Sequence, residues 1–522
     1  MMKGITLLGS YAMGFAAFSA LAANENQQRY NILYIMSDDH SYQAISAYKH
    51  ALGSFAKTKN IDRIAKDGVI FEKAYVANSI CSPARATLLT GQHSHLNGKY
   101  TNRGGIDYKV NPRTLPVLLQ EGGYQTAIIG KWHLRTAPQG FDYADVLNGQ
   151  GLYYNPVFIK NGKKKRTEVG YNTDITGDLA LNWFKNLRKK DKPFAMFLHF
   201  KAAHRSFSPA VRHLDLFNDV EIPMPDNFFD NYGTRGEPLK MSKMSVTRDY
   251  NRNDLKIDFT YDNENIKQFP KKLKLWQEHY QRENAPFVNG EITDPKELAK
   301  WKYQRYLKDY LRVIRSLDEN IGRVLDYLEE AKLADDTIVI YTSDQGFYMG
   351  EHGWFDKRYM FEESFRTPLL IRVPGHKNIN RINTNLVQNI DFAPTILDYA
   401  GVKIPKEMQG MSLRPLCEGE VKDENWRKKL YYHYYELPSS HNVPRHDGVA
   451  NKRWKLINFY ELGKWELFDL KNDPSEMKNL YNDPNYANIL KEMKKQYEEV
   501  KKQYQVPESV YKTPANKLRS CK

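Results

Sequence analysis

Short apolar runs, each the length of one strand, recur along the chain with helical patterns between them, and this alternation restricts the fold more than any other feature. The runs are residues 32–36, 127–129, 194–200, 338–341 and 369–373, each bounded by polar or turn residues and each reading as a buried strand. The clearest helix between them opens with Asp294-Pro295-Lys296-Glu297, an N-cap acid, a proline in the first turn and an acid at the third position. It carries Trp301, Leu307, Leu311, Ile314, Leu317, Ile321, Val324 and Leu328 on one face. Strands alternating with helices predict an α/β fold with a large, mixed, mostly parallel sheet sandwiched by helices. Such sheets bind ligands outside the carboxyl ends of their strands, so chemistry is sought just after each run.

Three stretches depart from the rhythm. Residues 1–22 carry one charge, Lys3, then small and apolar residues ending in Ala20-Leu21-Ala22, which reads as a signal peptide and implies a secreted or periplasmic protein. No later run approaches the roughly 18 apolar residues of a spanning helix, so no integral membrane span is expected. Residues 206–289 are polar and lack sustained periodicity, and read as a long surface insertion within a catalytic unit over 23–418. Residues 419–522 read as a C-terminal subdomain, with strands at 430–435, 454–459 and 465–470 in an antiparallel sheet and a charged helix near 487–502. With Cys81, Cys417 and Cys521 as the full cysteine complement, at most one disulfide can form, and the core must hold the fold. The formal net charge of +15 would steer polyanions toward the protein, although lysines on solvated faces such as Lys163-Lys164-Lys165 account for it equally well.

Two strand ends offer hard oxygen ligands. The run at 32–36 delivers Ser37-Asp38-Asp39-His40, and the run at 338–341 delivers Thr342-Ser343-Asp344-Gln345-Gly346. An Asp-Asp pair alone is commonly a cap or a turn, but carboxylates and an amide oxygen at two strand ends suggest a calcium ion. The third element is Cys81-Ser82-Pro83-Ala84-Arg85, followed by Thr87-Leu88-Leu89-Thr90-Gly91-Gln92. A free cysteine is usually a small buried hydrophobe. Here the surrounding residues point elsewhere.

Cysteine-x-proline-x-arginine followed by leucine-threonine-glycine resembles the signature of type I formylglycine-dependent sulfatases, members of the alkaline phosphatase-like superfamily. The family often has serine where Ala84 stands and a basic residue where Gln92 stands. The resemblance continues in Gly130-Lys131-Trp132-His133-Leu134, in His204 after the third run, in Gly350-Glu351-His352-Gly353 through Lys357, and in Asn389-Ile390-Asp391-Phe392-Ala393-Pro394-Thr395. It implies that Cys81 is oxidised by a sulfatase-maturing enzyme to formylglycine (3-oxoalanine), whose hydrate attacks sulfur. It further implies that Asp38, Asp39, Asp344, Gln345 and the modified Cys81 bind one Ca2+, that Lys131 and Lys357 hold sulfate oxygens, and that Arg85 stabilises the ionised hydrate. His204 is then the general acid toward the leaving sugar oxygen, and His133 assists expulsion of sulfate.

The segments Gly149-Gln150-Gly151-Leu152-Tyr153-Tyr154, Gly353-Trp354-Phe355-Asp356-Lys357-Arg358 and Arg445-His446-Asp447-Gly448-Val449 resemble the branch acting on 6-O-sulfated N-acetylglucosamine. The implied substrates are heparan sulfate, keratan sulfate or mucin glycans, with Asp356, Arg358 and His446 as candidate sugar contacts and no nucleic-acid partner. Two other readings stand beside this one: a phosphate or phosphonate monoester hydrolase of the same superfamily, and a non-catalytic protein that binds acidic glycans.

Overall fold

The computed structural model describes residues 29–258, 270–376, 381–420, 425–514 and 517–518; the expected signal peptide over 1–22, and Cys521, lie outside them. In chain order its strands are β1 (Asn31–Ser37), β2 (Val69–Phe71), β3 (Ala74–Tyr75), β4 (Gln125–Gly130), β5 (Tyr143–Leu147), β6 (Val157–Lys160), β7 (Lys164–Thr167) and β8 (Phe194–His199). They continue with β9 (Thr337–Ser343), β10 (Leu369–Arg372), β11 (Arg381–Asn383), β12 (Val387–Gln388), β13 (Lys429–Tyr434), β14 (His446–Asn451), β15 (Trp454–Phe459) and β16 (Lys464–Asp469).

A ten-stranded sheet runs in the order β11-β2-β10-β9-β1-β8-β4-β5-β6-β7. Its centre, β9-β1-β8-β4-β5, is parallel throughout, while β10, β6 and β7 pair antiparallel toward the edges. The central strands are buried along nearly their whole length and mostly apolar, because helices cover both faces. Leu33 and Ile35 of β1 join one core cluster, whereas Ile32, Tyr34 and Met36 join another on the opposite face. The long helix Pro295–Glu330 supplies the first face with Leu307, Leu311, Ile314, Leu317, Ile321 and Val324. It starts as its sequence predicts, with the Asp294 carboxylate accepting from the backbone N–H of Lys296 at 2.8 Å and Glu297 at 2.9 Å. Helices Cys81–Thr90, Leu115–Glu121 and Phe392–Tyr399 cover the second face.

Residues 206–289 depart from the expectation of a surface insertion. Phe207, Leu214, Ile222, Val246, Tyr250 and Trp276 are buried in the same cluster as the long helix, and the segment contains the helix Pro270–Val288. Ion pairs fasten it as well, Arg205 to Asp254 at 2.6 Å and Lys256 to Asp309 of the long helix at 2.9 Å. Before that helix, the buried apolar residues are spaced to suit turns and short helices, and that spacing leaves no periodic trace in the sequence.

The four-stranded sheet β13-β14-β15-β16 is antiparallel. One face packs on helix Ala487–Gln503 through Met493, Tyr497 and Val500. The other packs on Tyr359, Phe361 and Phe365 of the larger unit. Strand β14 was not anticipated. This docking carries the loop after β13 to the carboxyl ends of the central strands.

Candidate active site

Parallel pairing of β1 with β9 places Ser37 opposite Ser343, so Asp38 and Asp344 leave adjacent strands side by side. The backbone N–H of Asp39 donates to Asp344 Oδ1 at 3.2 Å, with Asp39 itself in the left-handed region at φ 62°. Tyr310 of the long helix fixes the turn by donating to the Asp39 carbonyl at 2.8 Å while accepting from the N–H of Ser41 at 2.9 Å. A helix that reads as pure core in the sequence therefore sets the conformation of a candidate ligand.

Cys81 is the first residue of its helix, where Pro83 in the first turn leaves no intrahelical hydrogen bond unmade. The preceding Ile80 provides no side-chain cap, and Asn102 Oδ1 accepts from the N–H of Ser82 instead, at 3.0 Å. Cys81 Sγ lies 3.4 Å from Asp38 Oδ1. Ligand atoms of Asp38, Asp39, Cys81 and Asp344 all fall within 4.8 Å of one another. Gln345 joins the group by donating to Asp39 Oδ1, and its own Oε1 is buried without a partner. Three carboxylates and an orphaned amide oxygen around position 81 fit a hard divalent cation.

Three cations interleave with these carboxylates. Arg85 donates Nε and one terminal nitrogen to Asp344 Oδ2 at 3.2 and 3.1 Å, and the other terminal nitrogen to the Lys131 carbonyl at 2.8 Å. The Lys131 ammonium rests against Asp38, and that of Lys357 against Asp39. Lys131 is delivered by Gly130, whose φ of 97° and close approach require glycine: a Cβ there would stand 1.9 Å from the His199 carbonyl. Burial raises the Asp39 carboxyl to about 7 against the pull of Lys357. Burial also pushes the Cys81 thiol up, so the unmodified side chain is a poor nucleophile.

His204 follows β8, with Nε2 at 3.9 Å from Asp39 Oδ2. Burial, then the positive field of Lys131, Lys201 and Lys357, holds its imidazole well below the ordinary range. His133 sits in the left-handed region at φ 56°, with its carbonyl accepting from the Ser82 hydroxyl and its ring facing a neighbouring cavity. A cavity of about 560 Å³ opens above Cys81, lined on one side by His204 and Arg205 and on another by Asp356, Lys357, Arg358 and His441. Asp356 and Arg358 adopt φ of 76° and 106°, conformations that cost about 1–3 kcal/mol each and concentrate where side chains must be aimed.

His446 does not reach this cavity. It is fully buried in β14, stacked on Tyr359 and Tyr432, with Nε2 accepting from the N–H of Met360 at 3.2 Å. It serves as an aromatic core residue joining the four-stranded sheet to the segment at Tyr359 and Met360. The imidazole at the rim belongs to His441, which sequence reasoning missed, with Nε2 at 3.3 Å from Asp356 Oδ2. Burial lowers His441 to about 4, so the ring is neutral near pH 7. Glu436 and Asn102 were missed too: Glu436 pairs with Arg358 at 3.0 Å and accepts from the N–H of Asn102 at 3.0 Å. Nothing in the Pro/Ser-rich segment 437–444 marks its neighbours for function; only the docked sheet brings them here.

Comparison with known proteins bears on this geometry. The sulfatase family model matches residues 30–402, and the model for the C-terminal part of N-sulphoglucosamine sulphohydrolase matches 350–503. An N-acetylglucosamine-6-O-sulfatase of Bacteroides thetaiotaomicron is 44% identical over 519 residues, covering 94% of this chain and 91% of its own. A solved structure described as a complex with its substrate D-glucosamine-2-N,6-O-disulfate aligns with TM-score 0.88 and 42% identity over 93% of this chain and all of that one. A phosphonate monoester hydrolase from Silicibacter pomeroyi aligns with TM-score 0.67 at 20% identity over 91% of this chain and 96% of that one, which shows the shared alkaline phosphatase-like fold alone. The family implies a formylglycine and a divalent metal, and the residues around Cys81 fit both. With the family model spanning most of the chain and the signature cysteine on the metal-fitting carboxylates, the chain belongs to the sulfatase family of sulfuric ester hydrolases.

Proposed function

We propose that this chain hydrolyses the 6-O-sulfate of a glucosamine residue carrying an N-acetyl or N-sulfo group, after Cys81 has been oxidised to formylglycine by a maturing enzyme. The observation that carries the reading is the clustering of Asp38, Asp39, Asp344 and Cys81 within 4.8 Å beneath a sugar-sized cavity. The 44% identity to an N-acetylglucosamine-6-O-sulfatase supports the substrate class. Oxygen-only donors, three of them carboxylates, favour calcium over softer metals, with Gln345 Oε1 as a neutral fourth ligand. When bound, the ion lowers the pKa of a hydroxyl on the hydrated residue 81 and so supplies a nucleophile at neutral pH.

The remaining work falls to the chain's own groups. Lys131 and Lys357 neutralise sulfate oxygens; each is a point charge now resting on a carboxylate, so a cation on Asp38 and Asp39 and an anion on the lysines are complementary demands. Arg85, locked on Asp344, holds position 81 in a positive field at a helix N-terminus. His204 is placed to protonate the departing O6 once the charge of the bound sulfate offsets the lysines that otherwise keep its ring neutral, and His133, whose ring faces the neighbouring cavity, would take the second hydroxyl proton by turning that ring toward position 81. Asp356, Arg358 and His441 bind sugar hydroxyls from the rim. The leader-like composition of residues 1–22 supports action outside the cytoplasm.

Mass spectrometry of the Cys81 tryptic peptide, paired with a panel of sulfated sugars and an aryl phosphate, tests the proposal. The expected results are an aldehyde at position 81 and sulfate release from N-acetylglucosamine 6-sulfate. Active protein carrying only thiol at Cys81, or turnover confined to 2-O- or 4-O-sulfated sugars or to the phosphate, would overturn it.

A further inference from the structure

The cavity above Cys81 has more positive charge on its walls than it neutralises, and the surplus is localised. Arg205 forms two hydrogen bonds of 2.6 Å with Asp254, and Arg358 is paired with Glu436 at 3.0 Å and Asp356 at 3.2 Å. Lys357 rests on Asp39. Arg103 and Arg135 line the same cavity, both exposed, and no acidic group among the described residues lies within ion-pairing distance of either. Arg135 is not a free tail. Arg135 Nε donates to the Asn102 carbonyl at 3.0 Å, which leaves its two terminal nitrogens without a partner among the described residues. Asn102 is itself pinned between the Ser82 N–H and Glu436, so the residue that Arg135 bonds to, and that Arg103 follows in the chain, is anchored to the start of the Cys81 helix. Beneath them the Lys99 ammonium donates to the carbonyls of Arg103 and Gly104 at 2.8 and 2.6 Å, which adds to the positive field of this wall.

The charge of this wall suits a particular substituent. In a glucopyranose the groups on C6 and C2 project from opposite sides of the ring. A sugar with its 6-sulfate on the floor therefore turns its nitrogen substituent outward, toward the rim. Paired guanidinium groups are the best side-chain match to a sulfo group, because each presents two parallel N–H donors. We propose that Arg103 and Arg135 form a second oxyanion subsite that receives an N-sulfo group on the 2-amino nitrogen, making the doubly sulfated glucosamine the preferred substrate over its N-acetyl counterpart. The proposal rests on the reading given under Proposed function and adds to it a preference and the residues that produce it.

The test compares kcat/KM on D-glucosamine-2-N,6-O-disulfate and on N-acetylglucosamine 6-sulfate for the matured protein and for Arg103→Ala, Arg135→Ala and the double variant. The intact protein should favour the disulfate. The double variant should lose about tenfold or more on the disulfate, mostly in KM, and change less than about twofold on the N-acetyl sugar; hydrogen bonds to charged groups are commonly of that strength. Arg103→Lys with Arg135→Lys should recover part of the preference, and raising the salt concentration should erode it. An equal loss on both sugars, or no loss on either, would overturn the subsite while leaving 6-O-desulfation standing. An intact protein that releases sulfate from neither sugar would remove the underlying reading instead. Both arginines are exposed, so unaltered thermal unfolding of the variants separates a binding effect from misfolding.

Discussion

The floor and the rim of the cavity are built on different principles. The floor consists of residues that leave the ends of adjacent parallel strands within a few positions of the last paired residue: Asp38 and Asp39 after β1, Lys131 after β4, Asp344 and Gln345 after β9. Its charges are buried and mutually compensated, with Arg85 on Asp344, Lys131 on Asp38 and Lys357 on Asp39. The rim consists of loop residues from distant parts of the chain, with Asn102, Arg358 and Glu436 linked in one series of contacts. It is partly exposed and leaves two arginines uncompensated. The floor is thus suited to one reaction, whereas the rim can change its choice of sugar without disturbing the sheet.

The strongest way to break this division is at the nucleophile. Cys81→Ala should abolish sulfate release from every substrate, by about 10⁴-fold or more, since loss of a covalent nucleophile leaves only binding and electrostatics. Because the thiol makes a single weak contact, with Asp38, the unfolding temperature should move by no more than a few degrees. Substantial residual activity in a matured preparation would show that position 81 is not the attacking group.

Metal removal should act on the floor almost as strongly and on stability as well. Without a cation, three buried carboxylates must be balanced by Arg85, Lys131 and Lys357 alone. Chelation followed by readdition should restore activity with calcium in preference to magnesium or zinc, and the unfolding temperature should rise with calcium concentration. At about 100 times Kd the gain is about 2.7 kcal/mol. Full activity after exhaustive chelation, verified by elemental analysis, would contradict this.

His441→Ala probes the rim. It removes the imidazole beside Asp356 and should lower kcat/KM on the sulfated sugar by about 10- to 100-fold, the range of a lost hydrogen bond involving a charged group. Hydrolysis of a simple aryl sulfate, which reaches the floor alone, should be little changed. Equal losses on both substrates would mean that His441 supports the floor and that the two regions are not separable.

The same division explains what could be read in the sequence. Each floor residue except Lys357 lies within a few positions of a strand whose apolar run is visible, or inside the short run from Cys81 to Arg85, so local pattern and tertiary position coincide. Asp356, Lys357 and Arg358 were visible as a dense local motif, though not the left-handed conformations that aim Asp356 and Arg358. Asn102, Glu436 and His441 gave no signal, because their place depends on how the four-stranded sheet docks on the larger unit. Tyr310 was hidden for a different reason: on an amphipathic helix a tyrosine reads as core, and its hydroxyl bond to the Asp39 loop has no sequence counterpart. The burial of Phe207, Leu214, Ile222, Val246 and Tyr250 has no sequence signal because turn-spaced apolar residues show neither helical nor strand periodicity.

His446 belongs to neither region, and its small effect on catalysis sharpens the boundary between them. Its neighbours in sequence mark it as a sugar contact, yet it lies in a fully buried aromatic stack and burial lowers it to about 4. His446→Phe should therefore leave kcat and KM within about twofold on all substrates. It keeps the stacking and abandons the bond from the Met360 N–H, so about 1–3 kcal/mol of stability should be lost at neutral pH. The pH dependence carries the sharper reading. A histidine that must stay neutral when folded, but ionises near 6.5 when unfolded, gives the unfolded chain the higher proton affinity. Its contribution is fully present above pH 6.5 and disappears as the pH falls toward 4, about 3 kcal/mol for a shift of this size. His40 and His95, also lowered to about 4 by burial, add parallel slopes, so the comparison must be the difference between the native chain and the variant. Urea midpoints measured from pH 7.5 to 4 should converge as the pH falls, with the variant flatter. Parallel curves would mean that His446 is already protonated or exposed in the folded protein, and would reopen its place at the rim.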